Sequence, residues 1–543
     1  MTQAQNPPAK KTPHSAATQQ SAEQETPAQQ PPARKRATKK SAAKQSTAGK
    51  ASTRKAATQK TRPKKPATQK TAAKRTPAAK RTPAAKSATK QTPARKTTAT
   101  KSAAARKPAA KTSGAQPSSR AKKTSPAADV SSTTARPRRE HDLVLFGATG
   151  FTGQLVAKHL IRTTPASLRI ALAGRSEGKL GQVVKQIGGR AYDLPLVIAN
   201  SDDPRSLAAM AQSTTALITT VGPYAKYGLP LVGACADAGT NYCDLTGEVL
   251  FMRDSIDRYD AKARSTGARI VHSCGFDSIP SDLGVLALSM AIANDDADAR
   301  MLATRLVVRS ARGGISGGTI ASGMLEAERA RGDERAREVL DDPYSLSPDR
   351  AAEPTPGDDP DPRSPLRDEV TGTWLTPFLM GSINTRVVRR SNALQDYRYG
   401  RQFRYSEYLS TGGGPGGRLA ATGIATAMAA GEFAMSLAPA RDLLQRFLPD
   451  PGEGPSERTR AKGYFSILLH TRTNTGVQYR ATVAAQGDPG YAATSMMLAT
   501  SGLTLAGTGL TERAGVLTPA TAMGETLITN LKAAGMTIEA ARA

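Results

Sequence analysis

The sequence predicts an α/β fold. A parallel sheet flanked by helices is expected first, then an α+β portion, with a long disordered basic tail ahead of both. Three observations lead there. Excess charge is confined to one end of the chain. An apolar strand, a glycine-rich turn and an amphipathic helix follow one another from residue 142. Short apolar runs then alternate with helical stretches as far as residue 284.

The tail follows from composition. Lys and Arg number 76 and Asp and Glu 45 over 543 residues, a formal net charge of +31. Residues 1–140 hold 34 basic and 4 acidic residues; the remaining 403 hold 42 and 41, so the body is nearly neutral. Among Val, Ile, Leu, Met, Phe, Trp, Tyr and Cys, residues 1–140 contain only Met1 and Val130. Such a stretch cannot bury enough apolar surface to offset the entropy of ordering it. Residues 1–139 are therefore expected to be disordered, and one core spanning the chain is excluded. KRTPAAK recurs at 74–80 and 80–86, and ATQKT at 57–61 and 67–71. The composition resembles that of the Lys/Ala/Pro-rich tails of linker histones. A mobile polycation binds polyanions with strong salt dependence, so nucleic acid and an anionic membrane surface are both candidate partners. A solvated spacer is the third reading. The tail has no aromatic residue to stack on bases, which argues against selective single-strand recognition.

Cys235, Cys243 and Cys274 form no CxxC pair, which excludes a disulfide scaffold and a structural zinc site and fits a reducing compartment. The N-terminus shows no apolar signal region, and the nearest candidate span, 419–439, is Ala/Gly/Thr-rich and carries Glu432. A cytoplasmic protein that can rest peripherally on a membrane is expected.

Order is expected from Asp142. Leu143 to Phe146 reads as a strand, followed by Gly147-x-x-Gly150-x-x-Gly153 and an amphipathic helix. Gly147 permits the tight turn, Gly150 lets backbone approach a pyrophosphate, and Gly153 lets the helix pack on the strand. The helix N-terminus offers N–H groups and a partial positive charge to phosphates. A dinucleotide site is expected here, lined by Gly147, Thr149, Gly150, Phe151, Thr152 and Gly153. The second strand, Leu168 to Ala173, ends in Gly174-Arg175-Ser176 rather than in the carboxylate that would bind a ribose 2′-hydroxyl. Arg175 and Ser176 suit a 2′-phosphate, so NADP(H) is the expected cofactor.

The alternation continues with a third strand at 194–200, a helix at 204–212, a fourth strand at 215–224, and a helix at 229–239. NYCDLTGE (241–248) and ARIVHSCGFDSIPSDLG (268–284) complete it. In a parallel sheet the ligand sits outside the strand C-terminal ends. The loops there carry Gly222-Pro223-Tyr224, Asp244 to Glu248, and Cys274 to Pro280. Gly222 and Pro223 are expected to touch the cofactor as well.

GATGFTG, AGRS, VGPYAKYGLPLVGACADAGTNYCDLTGE and HSCGFDSIPSDLG together resemble the saccharopine dehydrogenase-like oxidoreductases. The nearest branch is the actinobacterial trans-acting enoyl reductases; GGISGGTI, DPYSLSP, RSNAL and GVLTPATAMG agree. The resemblance spans about 140–543 and leaves the tail as an addition. It implies an NADP-binding Rossmann domain at 140–285, an α+β substrate domain at 286–512, and a C-terminal helix at 513–543 packing back on the first domain. It also implies NADP(H)-dependent reduction of a double bond in a lipid or polyketide acyl chain, within glycolipid biosynthesis at the plasma membrane.

In the second half, 301–311 reads as a strand and 341–372, rich in Pro and Asp, as a surface loop. Arg386, Arg389, Arg390, Arg398, Arg401 and Arg404 interleave with Tyr397, Tyr399, Phe403, Tyr405 and Tyr408. Two readings are open. One is a surface for an acidic carrier protein; the other is a sheet with aromatics inward and arginines solvated. Glycines 412–417 read as a flexible link.

The chemistry asks for a proton donor near the hydride acceptor. No Tyr is followed four residues later by Lys, and no Ser/His/Asp triad stands out. Tyr224 and Asp277 are the expected catalytic residues, with His272 a further candidate. Cys274 reads as a small buried hydrophobe, and Asp244 and Glu248 as groups that brace their loop. No metal is expected. The alternative to an enzyme is a dinucleotide-binding scaffold tethered by its tail to nucleic acid or membrane.

Overall fold

The computed structural model describes residues 138–314, 316–355, 357–435 and 454–543. The expected disordered tail, 1–139, lies outside them apart from Arg138 and Arg139. Arg139 ties down the start of the body, donating to the carbonyls of Gln212 and Ala238, each at 2.5 Å.

Six short strands come first: β1 (His141–Phe146), β2 (Ile170–Gly174), β3 (Leu196–Ile198), β4 (Thr214–Thr219), β5 (Asn241–Cys243) and β6 (Arg269–Val271). They alternate with α1 (Phe151–Thr163), α2 (Glu177–Ile187), α3 (Pro204–Ser213), α4 (Tyr224–Ala238) and α5 (Val249–Thr266). β1 and β2 are apolar almost throughout, as strands covered on both faces must be. Local chemistry sets the helix starts. Ser176 caps α2, and Asp203 caps α3 with Pro204 in its first turn. The strands pair in parallel, and β13 (Gly515–Leu517) joins late, giving the order β13-β6-β5-β4-β1-β2-β3. The order reverses at β1, flanked by β2 and β4, so a crevice opens at the C-terminal ends of β1 and β4.

Helix α6 (Ile279–Asp295) leads to a second sheet. It contains β7 (Met301–Arg312), β8 (Leu366–Arg367), β9 (Trp374–Pro377), β10 (Arg404–Gly412), β11 (Tyr464–Thr473), β12 (Gln478–Gln486) and β14 (Thr537–Arg542). Its order is β14-β12-β11-β7-β10-β9-β8, antiparallel except for the β7–β10 pair. α6 is buried along most of its length, packed on β12, β14 and the neighbouring helices, and so carries no polar stripe. A Cβ at Gly284 would fall 2.8 Å from the Leu469 side chain, so only glycine allows this approach. The chain crosses between the sheets more than once. The helix Thr494–Ala506 lies on the first sheet, where a Cβ at Gly502 would fall 2.3 Å from Ile218; β14 then ends the chain on the second.

Three readings of the second half change. The stretch holding Arg386, Arg389 and Arg390 is a helix, α9 (Gly381–Leu394), following α7 (Gly317–Gly332) and α8 (Glu334–Asp341). These arginines are buried, not solvated. Arg386 pairs with Asp361 at 2.7 Å and Arg389 with Asp359 at 2.8 Å, while Arg390 donates to the carbonyls of Leu346 and Val516, each at 2.6 Å. The Pro/Asp-rich loop is thereby pinned to α9 by its own carboxylates. The expected glycine link also changes: Gly414 opens α10 (Gly414–Met435), an apolar helix whose Leu419 and Phe433 stand 77% and 69% exposed. Among the described residues no helix is long and apolar enough to cross a membrane.

Candidate cofactor and reaction site

The crevice at the switch point begins with the glycine turn. Gly147 has φ +90°, and a Cβ there would fall 2.7 Å from the Thr220 hydroxyl. A Cβ at Gly153 would fall 2.1 Å from the Gly147 carbonyl oxygen. Both positions therefore require glycine. Gly150 is the N-cap of α1 and donates to the Gly147 carbonyl at 3.0 Å. No side chain caps α1, and its first turn holds no acidic residue. The first-turn N–H groups at Phe151 and Thr152 thus face a place suited to an anion. Gln154 donates to the Thr149 carbonyl at 3.1 Å and holds the turn from behind.

At the end of β2, Arg175 is exposed and forms no ion pair among the described residues. Ser176 accepts from the Lys179 N–H at 3.4 Å, a weak cap that leaves its hydroxyl hydrogen to donate. A cation and a hydroxyl therefore stand one turn from the phosphate cradle, an arrangement that fits a 2′-phosphate.

On the other side, the C-terminal end of β4 abuts the glycine turn. Thr220 donates its N–H to the Phe146 carbonyl at 3.0 Å and its hydroxyl to the Gly147 carbonyl at 3.1 Å. Gly222 is exposed and Pro223 half-buried at the mouth of this turn. Tyr224, next along, turns inward. Its hydroxyl donates to the Thr219 carbonyl at 3.2 Å, its ring lies 5.7 Å from that of Phe251, and the residue is 4% exposed. Burial pushes its phenol well above the usual range. Where the sequence placed Tyr224 beside the substrate, the structure has its hydroxyl engaged on a carbonyl and its ring in the core.

Asp277 has the opposite surroundings. It is half-buried, and its carboxylate makes no hydrogen bond or ion pair among the described residues. A Cβ on Gly247 would lie 4.0 Å from its Oδ2, 3.7 Å from the Met380 methyl and 3.3 Å from the Ile383 methyl. Burial among such apolar neighbours pushes the carboxyl up to about 6. The loop is held from beneath, where the Phe276 N–H donates to the Thr494 hydroxyl at 3.0 Å.

Behind these loops a buried hydrogen-bond chain joins β5 to β6. His272 Nδ1 lies 2.7 Å from Asp244 Oδ2, and Nε2 lies 2.8 Å from the Ser255 hydroxyl. Tyr242 also donates to Asp244, at 2.8 Å, and so do the N–H groups of Thr246 and Ser273, at 3.0 and 3.1 Å. A Ser–His–Asp chain is thus present, although none stood out in the sequence. Ser255 and Asp244 are fully buried and His272 nearly so, and both ring nitrogens are taken, which removes His272 as a proton donor. Glu248 braces α4, accepting from the N–H groups of Tyr224 and Ala225 at 2.9 and 2.6 Å and from the Ser322 hydroxyl at 2.6 Å. Cys274 is fully buried.

Residues 143–271 match the family model described as the saccharopine dehydrogenase NADP-binding domain. A protein of Mycobacterium tuberculosis named as a trans-acting enoyl reductase is 49% identical over 420 residues, covering 75% of this chain and 99% of that protein. The trans-acting enoyl reductase of Mycobacterium bovis is 46% identical over 415 residues, covering 74% and 98%. The chain belongs to this reductase family. It is an NADP-dependent oxidoreductase, and NADP(H) is its cofactor. Residues 1–159 match a model described as a histone H1-like nucleoprotein, a match that runs from the basic tail into β1 and α1. Among solved structures, saccharopine dehydrogenase (L-Glu forming) from Saccharomyces cerevisiae covers 74% of this chain and 99% of its own, at 10% identity and a TM-score of 0.41.

Two further buried carboxyls belong to the oxidoreductase's core rather than to its crevice. Burial pushes Asp282 and Glu407 up to about 7 each. Asp282 accepts from the Ala520 N–H at 2.8 Å; Glu407 accepts from Asn384 and from the Tyr405 hydroxyl, both at 2.8 Å. Sequence reasoning passed over them because burial, which the sequence around them does not show, is what sets their acidity.

Proposed function

We propose that this protein reduces the carbon–carbon double bond of an enoyl thioester in a lipid or polyketide acyl chain, within glycolipid synthesis. The names of its 46–49% identical relatives support the reaction class. The observation that carries it is Asp277: an unpaired carboxyl with its pKa raised to about 6, beside the loops at the C-terminal ends of the parallel strands. When bound, NADPH supplies the hydride. The glycine turn and α1 would hold the pyrophosphate, Arg175 and Ser176 would hold the 2′-phosphate, and Gly222 and Pro223 would line the cofactor beyond β4. Hydride addition at the β carbon leaves an enolate; Asp277, protonated, gives its proton to the α carbon and regains one from water. Asp244 and His272 lock the two loops that position it.

The acyl chain is presented on an acidic carrier protein, and the basic tail holds the enzyme on a polyanion, an anionic plasma-membrane surface or nucleic acid. The domain division at 286 and 513 remains part of this reading. The test is NADPH oxidation by the full-length protein against a panel of enoyl thioesters and keto acids. Turnover confined to the thioesters supports the proposal, and turnover confined to the keto acids defeats it. Removal of residues 1–137, which keeps the Arg139 anchor, is expected to leave turnover intact and abolish salt-sensitive binding to anionic vesicles or DNA.

A further inference from the structure

Segments that flank two strands of the second sheet reach over to the phosphate cradle. Arg460 sits on the short helix Glu457–Ala461, far along the chain from the glycine turn, yet its guanidinium lies 5.2 Å over the ring of Phe151. Phe151 is the first residue of α1, at the helix end that presents uncapped N–H groups. Tyr491 meets the same ring edge-on at 5.0 Å. Gly454 presses on it too, since a Cβ there would fall 2.3 Å from the ring. Two segments from the far half of the chain therefore cover the first turn of α1.

Their placement is held by close backbone contacts. The Asp488 N–H donates to the Arg460 carbonyl at 3.0 Å, and the Gly487 N–H to the Gly463 carbonyl at 2.8 Å. A Cβ at Gly463 would fall 2.3 Å from the Asp488 backbone, and one at Gly490 would fall 2.4 Å from the Gly314 carbonyl oxygen.

Arg460 donates to the Pro455 carbonyl and forms no contact ion pair among the described residues. The nearby Asp488 carboxylate, which accepts from the N–H groups of Tyr491 and Ala492 at 3.1 and 3.2 Å, attracts it without touching it. A half-buried guanidinium with N–H donors to spare thus stands beside a helix end that attracts anions.

We propose that Arg460 is a pyrophosphate ligand of the NADP(H) site, so that the cofactor is held from both halves of the chain. Arg460 neutralises the phosphate charge from one side while the α1 N–H groups do so from the other. Because it reads the pyrophosphate, it serves NADPH and NADH alike; Arg175 reads the 2′-phosphate alone.

The experiment is calorimetric titration of NADPH, NADH and adenosine 2′-monophosphate, which carries neither phosphate of the pyrophosphate, into full-length wild type, Arg460→Met and Arg460→Lys. Methionine keeps an apolar stem on Phe151 and removes the charge. Arg460→Met is expected to weaken NADPH and NADH by the same factor, about 10- to 100-fold, leaving the monophosphate at wild-type affinity. Arg460→Lys recovers part of the loss. Wild-type NADPH affinity in Arg460→Met overturns the proposal. So does an equal loss for the monophosphate, which would mean that the fold of the site, and not a pyrophosphate contact, had changed.

Discussion

The two ends of the crevice are assembled differently. At the adenosine end, the turn, the uncapped helix, Arg175 and Ser176 all lie between Gly147 and Ser176, on adjacent elements of one β–α–β unit, with Arg460 the one proposed contact from far along the chain. At the reaction end, Asp277 lies near Gly247 on another loop, a glycine that abuts Met380 and Ile383 at the start of α9, while its own loop rests on Thr494. The first end is therefore built mainly from neighbours in sequence, and the surroundings of Asp277 are tertiary. Substitutions at the first end should change cofactor affinity, and those at the second should change turnover.

The largest effect is expected at Gly153. Gly153→Ala places a methyl on the Gly147 carbonyl, and the turn cannot yield without separating α1 from β1. A loss of roughly 3 kcal/mol or more, read as a lower melting temperature, should accompany loss of NADPH binding. If the variant melted like wild type and bound normally, the adenosine end would be less dependent on local backbone contact than this contrast requires.

Asp277→Asn comes next. Turnover should fall about 10²- to 10⁴-fold with NADPH affinity unchanged, the signature of a lost general acid. The active form is the protonated one, so wild-type kcat/KM should fall as pH rises through about 6, and the variant should lose that limb. A variant that kept the limb would move the proton source elsewhere.

Arg175→Ala tests the adenosine end more gently. It should cut the preference for NADPH over NADH by about 10- to 150-fold while leaving turnover at saturating NADPH unchanged. Equal affinities for the two cofactors in wild type would remove Arg175 from the 2′-phosphate. The smallest effect is expected at Tyr224→Phe. Loss of the bond to the Thr219 carbonyl should cost about 1 kcal/mol of stability, with turnover little changed. A turnover loss as large as that of Asp277→Asn would return the phenol to the chemistry.

The same contrast explains what could be read in advance. Periodicity and turn residues marked most elements of the first sheet, although α4 starts earlier than expected, because Glu248 and not a cap of its own accepts its first N–H groups. In the sequence nothing adjacent neutralises the arginines of α9; their carboxylates stand on the Asp359–Asp361 stretch. Tyr224 was expected to end the fourth strand; it opens α4 instead, five residues past β4, with its ring packed against Phe251.

By itself the sequence determined the basic tail as a charge distribution, the parallel α/β unit and the choice of NADP(H), because these depend on composition or on residues a few positions apart. Gly153 must be glycine because of Gly147, on the same turn, and Arg175 follows directly from β2. Only the tertiary structure decided how the polar groups sit around the crevice: Tyr224 inward, His272 enclosed, Asp277 unpaired, and Arg460 brought from the helix Glu457–Ala461 onto Phe151. The physical reason is that desolvation and charge pairing depend on everything packed within a few ångströms, and in this chain those neighbours come from segments far apart in sequence.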